Sequence, residues 1–133
     1  METHVKDLVR EITRASDEER IVFPDVVKAL MEAVVERYHA NLIDGTRTYY
    51  MPDDSFEVVH GDRPGTPAQA FSAKGVEQAV RTIQCGEIGY REFCERIAAA
   101  GCVGYFVSMA GRRAHYYGRT GEYHVEMFPG ASS

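Results

Sequence analysis

The sequence predicts an α+β domain built from two tandem helix-helix-β-β-β repeats, with one antiparallel sheet and helices on one face. Three observations carry that expectation. Segments with apolar residues at helical spacing come first, segments of alternating polarity follow, and the order occurs twice. Residues 21–59 lie over residues 88–126 without a gap, at a constant offset of 67. The chain has 133 residues, 44% hydrophobic and 26% charged, which is enough for one core and ordinary for a globular domain. The aligned identities are Ile21/Ile88, Ala33/Ala100, Tyr38/Tyr105, Tyr49/Tyr116, Tyr50/Tyr117 and Val58/Val125. Conservative pairs such as Phe23/Tyr90, Asp25/Glu92, Leu30/Ile97, Leu42/Met109 and Phe56/Tyr123 add to them.

In the first half Val5, Leu8, Val9 and Ile12 form the stripe of an amphipathic helix. A second helix starts at Pro24, suited to a first helical turn, and is expected to bury Val27, Leu30, Met31 and Val34. The period then changes to two. Tyr38–Leu42 alternates as a half-buried strand, Asp44-Gly45 reads as a two-residue hairpin turn into Thr46–Met51, and Phe56–His60 follows Pro52-Asp53-Asp54. Residues 61–71 are a connector, and Ser72 is a helix N-cap ahead of Val76, Ala79, Val80 and Ile83. A helix from about Arg91 to Ala100 buries Phe93, Cys94 and Ile97, with Gly101 capping its C-terminus. The strands Tyr105–Met109, Arg113–Gly118 and Glu122–Met127 follow. Residues 1–133 thus form a single domain, with repeat one at about 3–60 and repeat two at about 72–127.

Alternation sends Tyr105, Val107, Met109, Ala114, Tyr116, Tyr123 and Val125 to the helix-covered face. The other face receives Ser108, Arg113, His115, Tyr117, Glu122, His124 and Glu126, with Phe106. A loop at Gly118–Gly121 pairs Tyr117 with Glu122, His115 with His124 and Arg113 with Glu126, and the preceding hairpin sets Ser108 opposite His115. In the first half the same face carries His39, Asn41, Thr48, Tyr50, Glu57 and Val59, with fewer titratable groups.

This cluster points to a small-molecule-binding domain that does acid/base chemistry of an isomerase, cyclase or lyase type, with no organic cofactor. His115 and His124 would serve as acid and base and Glu126 as the orienting carboxylate. Tyr50, Tyr117, Ser108, Arg113 and His39 would bind the substrate. The alternative is a non-catalytic module that docks a metabolite or a protein on the same face, and a homodimer through that face is a further possibility. No metal is expected, because two His and Glu126 match no established ligand spacing. Nucleotide-binding glycine loops are missing too. With 20 acidic and 15 basic side chains the net charge is -5, which argues against a nucleic-acid partner. No apolar run could span a membrane and METHVKDLVREI has no signal-peptide core, so a cytoplasmic location is expected. Cys85, Cys94 and Cys102 fit neither a disulfide framework nor a metal pair, and Cys94 reads as a core residue.

A family resemblance rests on the order and spacing of several short stretches. They are Ala73–Ile83, Gln84-Cys85-Gly86, Tyr90-Arg91-Glu92-Phe93-Cys94, Ala99-Ala100-Gly101, Tyr105-Phe106-Val107, Tyr116-Tyr117-Gly118 and Val125-Glu126-Met127-Phe128-Pro129. Together they resemble the YbcV-like bacterial family, whose members are sometimes labelled phage envelope proteins. The resemblance covers most of the chain and is clearest from about residue 70 onward. It implies the two-part α+β architecture and a bacterial cytoplasmic origin, and it brings no catalytic residues with it. One departure is Tyr105-Phe106, where relatives are expected to carry tryptophan, which this chain lacks.

Overall fold

Each change of hydrophobic period becomes a change of secondary structure. The computed structural model, which describes residues 1–129, contains α1 (Thr3–Asp17), α2 (Phe23–Glu32), β1 (Arg37–Asn41), β2 (Thr46–Tyr50) and β3 (Phe56–His60). These are followed by α3 (Ala73–Gln84), α4 (Tyr90–Ala99), β4 (Cys102–Ser108), β5 (Arg113–Gly118) and β6 (Tyr123–Met127). The starts of α4, β5 and β6 (90, 113, 123) each lie 67 residues beyond those of α2, β2 and β3 (23, 46, 56).

The strands form one six-stranded antiparallel sheet in the order β3-β2-β1-β4-β5-β6. The halves meet at its centre, where His39 pairs with Phe106 and Ala40 with Tyr105. Val5, Val9 and Ile12 of α1, Leu30 of α2, Val76 of α3 and Ile97 of α4 share one core with the inward side chains of the strands. Ser72 caps α3 by accepting the Gly75 N–H at 3.0 Å.

α2 departs from its expected face. It buries Val26 and Leu30, while Met31 is 55% and Val34 61% exposed. The reason is where it stops. The Val34 and Val35 N–H groups return to the carbonyls of Met31 and Leu30, closing a Schellman turn that carries Val34 outward at φ 64. The corresponding turn after α4 uses Gly101 at φ 87. The other left-handed residues also fall into pairs 67 apart, namely Glu19 with Gly86, Gly45 with Arg112, and Asp54 with Gly121.

Loop length decides which side chains face which way. The first hairpin of each half has four loop residues (42–45 and 109–112) instead of the expected two, so Ser108 pairs with Arg113 and His115 with Phe106. A shift of two preserves the faces. The second hairpins behave differently. In each, a turn ends in a left-handed residue, Asp54 or Gly121, which adds one position to the loop, as in a G1 bulge. β3 and β6 are therefore turned over relative to expectation. His115 opposes Val125, Tyr116 opposes His124, and Ala114 opposes Glu126.

Candidate ligand-binding site

The register of β6 divides the expected catalytic group. His115 stays on the helix-free face, where it pairs with Phe106 and Val125. His124 and Glu126 pass to the helix side. There the His124 Nε2–H donates to Glu126 Oε2 at 2.6 Å, and Arg81 of α3 donates to Oε1 at 2.7 Å. Burial opposes ionisation of Glu126, but those two partners outweigh it and hold the carboxyl below its usual range. The imidazoles of His115 and His124 consequently cannot act on one substrate from one side of the sheet.

The five expected substrate-binding residues do share the helix-free face. The His39 Nε2 and the Tyr117 hydroxyl are 2.7 Å apart, and burial lowers the pKa of His39. The Arg37 guanidinium lies 4.4 Å from the centre of the Tyr50 ring. Ser108 and Arg113 are used locally, since Ser108 Oγ accepts the Gly111 N–H and Arg113 Nε donates to the Gly111 carbonyl. Glu57 and Glu126 lie on the far side, and the carboxylates near this face are Glu36 and Asp54, paired with Arg37, and Asp44, within electrostatic reach of His39.

A different site forms on the helix side. Between the helices and the sheet lies a cavity of about 680 Å³, within the range of small-molecule pockets. Its walls are mostly apolar, with contributions from Ile12, Val26, Val80 and Phe93. Five phenols from both halves also reach it: Tyr38, Tyr49, Tyr90, Tyr105 and Tyr116. Phe23 and Phe128, in edge contact at 5.4 Å, line it as well. Cross-strand pairing places these rings, because Tyr38 opposes Tyr49 and Tyr105 opposes Tyr116.

Three of the hydroxyls are committed. The Tyr49 and Thr13 hydroxyls bond at 2.8 Å, and those of Tyr90 and Tyr105 at 2.6 Å. Arg47, only 6% exposed, donates to the Tyr90 hydroxyl at 3.2 Å and to both carboxylate oxygens of Asp17 at 2.9 and 3.4 Å. The Asp62 N–H completes Asp17 at 2.8 Å. Tyr38 and Tyr116 line the cavity as well, and their hydroxyls, which open to it, have no hydrogen-bond partner among the described residues. Burial pushes the phenols of Tyr38, Tyr105 and Tyr116 well up and that of Tyr49 to about 12, so all are neutral donors at physiological pH. Burial also pushes the Cys94 thiol up to about 11, the opposite of an activated nucleophile. Among the described residues no three His, Cys, Asp or Glu side chains converge for a metal.

The sequence places these tyrosines at core positions, where alternation alone says nothing of their hydroxyls. A core face bearing Tyr38, Tyr49, Tyr105 and Tyr116 plus Arg47 is unusually polar, and buried phenols require partners. That excess was the available signal.

Fold and site together define a single-sheet α+β protein with a tyrosine-lined cavity between its layers. The chain belongs to a family described as protein of unknown function (DUF1398), whose pattern matches residues 6–126. No curated protein matches it. Among the described residues no helix is long and apolar enough to cross a membrane.

Proposed function

We propose that the protein binds a small, neutral, largely apolar molecule carrying one or two hydrogen-bonding oxygens, held in the cavity between helices and sheet. The observation that carries this reading is the pair of hydroxyls of Tyr38 and Tyr116, borne on largely buried side chains, free of protein partners among the described residues and open to a space of about 680 Å³. Neutrality follows from charge accounting. Arg47 is answered by Asp17, Glu126 by Arg81 and His124, and Glu19, at the exposed rim, by Arg91 at 3.9 Å, so each lining charge has a counter-charge. α2 is the element that admits the ligand, since Val26 and Leu30 are its only fully buried side chains. Acid/base turnover on the helix-free face has lost its geometric support with the register, and binding without turnover is the favoured role. We also infer that the halves descend from one duplicated unit, with the four left-handed pairs as support. A bacterial cytoplasmic setting and kinship with the YbcV-like proteins belong to the same reading.

Fluorescence titration tests the site. Nile red, neutral and bearing a carbonyl, should bind with a blue-shifted emission and outcompete the anionic anilinonaphthalenesulfonate. Tyr38→Phe and Tyr116→Phe should each weaken it about five-fold, the value of one net hydrogen bond near 1 kcal/mol. Phe106→Ser, on the opposite face, should change nothing. Dye affinity that ignores both tyrosine variants but falls in Phe106→Ser contradicts the proposal.

A further inference from the structure

The helix-free side of the sheet is aromatic in a particular way. Tyr117 crosses the sheet above Gly104, where any side chain would collide with its ring, and so reaches His39 on the strand beyond. The planes of His39 and Tyr117 differ by 19°, those of Phe106 and Tyr117 by 29°, and those of His115 and Tyr123 by 24°. His39 and Phe106, the closest pair at 4.5 Å, are tilted by 45°, so the rings lie side by side on one sheet surface as an uneven platform. It is open to solvent, with Phe106 43% and Tyr123 61% exposed. Aromatic area of this kind on a sheet face marks a binding surface more often than an accident of composition.

Charge is segregated around the platform. The chain has 20 acidic side chains, yet none projects from the platform side of β1, β4, β5 or β6; those acting on this face sit beside the strands, Asp44 near His39 and Glu36 and Asp54 at Arg37. Arg112 and Arg113 stand at one end of β5 and Arg119 just past the other, all exposed. None of the three has a carboxylate at ion-pair distance among the described residues, although most other arginines do. The net charge of -5 averages over this separation.

We propose that this face docks single-stranded nucleic acid, with bases stacked on Phe106, Tyr117 and Tyr123 and phosphates drawn to Arg113 and Arg119. A single strand offers both planar π-faces and anionic groups at the spacing of one residue row, whereas a duplex keeps its bases stacked inside. A second copy of the chain is the poorer fit, because face-to-face pairing brings like arginines together with no carboxylate to receive them. Affinity is modest and salt-sensitive, since two phosphate contacts on a single strand give a slope of log K against log salt of about -1.4.

Fluorescence anisotropy of a labelled oligouridylate, with the matching duplex as control, tests this. The single strand should bind better than the duplex. Phe106→Ala and Tyr123→Ala should each weaken it by about five-fold or more, and Arg113→Glu should also flatten the salt slope. Circular dichroism of each variant verifies folding. No anisotropy change at about 100 µM protein, the weak end of nonspecific binding, overturns the proposal. So does binding indifferent to all three variants. A dimer in sedimentation velocity that Phe106→Asp dissociates overturns it as well, in favour of a second copy on this face.

Discussion

At the end of α2 the chain turns through Val34, and at the end of α4 it makes the same turn through Gly101. The backbone geometry is held in common while the residues that realise it differ. A β-branched residue at φ 64 is strained, and glycine at φ 87 is not. The halves differ in the same manner inside the core. Arg47 and Asp17 form a buried ion pair, whereas the positions 67 residues on hold Ala114 and Gln84. On the open face His39 is answered by Phe106 in the same way. Turn geometry was thus the invariant, and side-chain chemistry varied around it. α3 and α4 pack closely while α1 and α2 make little contact, so the cavity sits beside the looser pair.

The ion pair offers the largest test of this difference. Asp17→Ala leaves Arg47 buried without its partner and should cost about 3–5 kcal/mol in urea denaturation. Gln84→Ala, at the exposed counterpart, should stay within about 0.5 kcal/mol. Next comes the turn. Gly101→Val would push a side chain into the backbone of Ala70 and Phe71 and should cost about 3 kcal/mol. The reciprocal Val34→Gly should raise stability by about 1 kcal/mol, read from the shift in denaturation midpoint at unchanged m-value. Equal and opposite responses at these two sites would mean that both turns penalise valine alike and that the collision with Ala70 and Phe71 adds nothing.

The smallest effect is pH dependence. Burial depresses the pKa of His39 below its ordinary 6.5. Between those two values the unfolded chain binds the extra proton, so stability falls as pH drops below about 6.5 and levels once the folded state is protonated too. Replacing His39 with Phe, the residue of the second half, should flatten that part of the curve. An unchanged slope would assign it to another group.

Helices and the faces of β1, β2, β4 and β5 were legible because their apolar spacing is regular and the errors in the first hairpins were even. β3 and β6 were not. A single left-handed residue, Asp54 or Gly121, exchanged their faces, and no periodicity within a five-residue strand reports the length of the loop before it. For the site, the effect was decisive. Sequence spacing sets His124 and Glu126 beside His115, while the concentration of polar groups lies among the core tyrosines. α2 misled differently, since Met31 and Val34 continue a helical stripe that the Schellman turn interrupts.

NMR of protein labelled with ring-¹³C tyrosine and saturated with Nile red tests the central claim most directly. The account predicts intermolecular NOEs from the dye to the rings of Tyr38 and Tyr116. NOEs confined to Tyr117 and Tyr123, on the other side of the sheet, would contradict it.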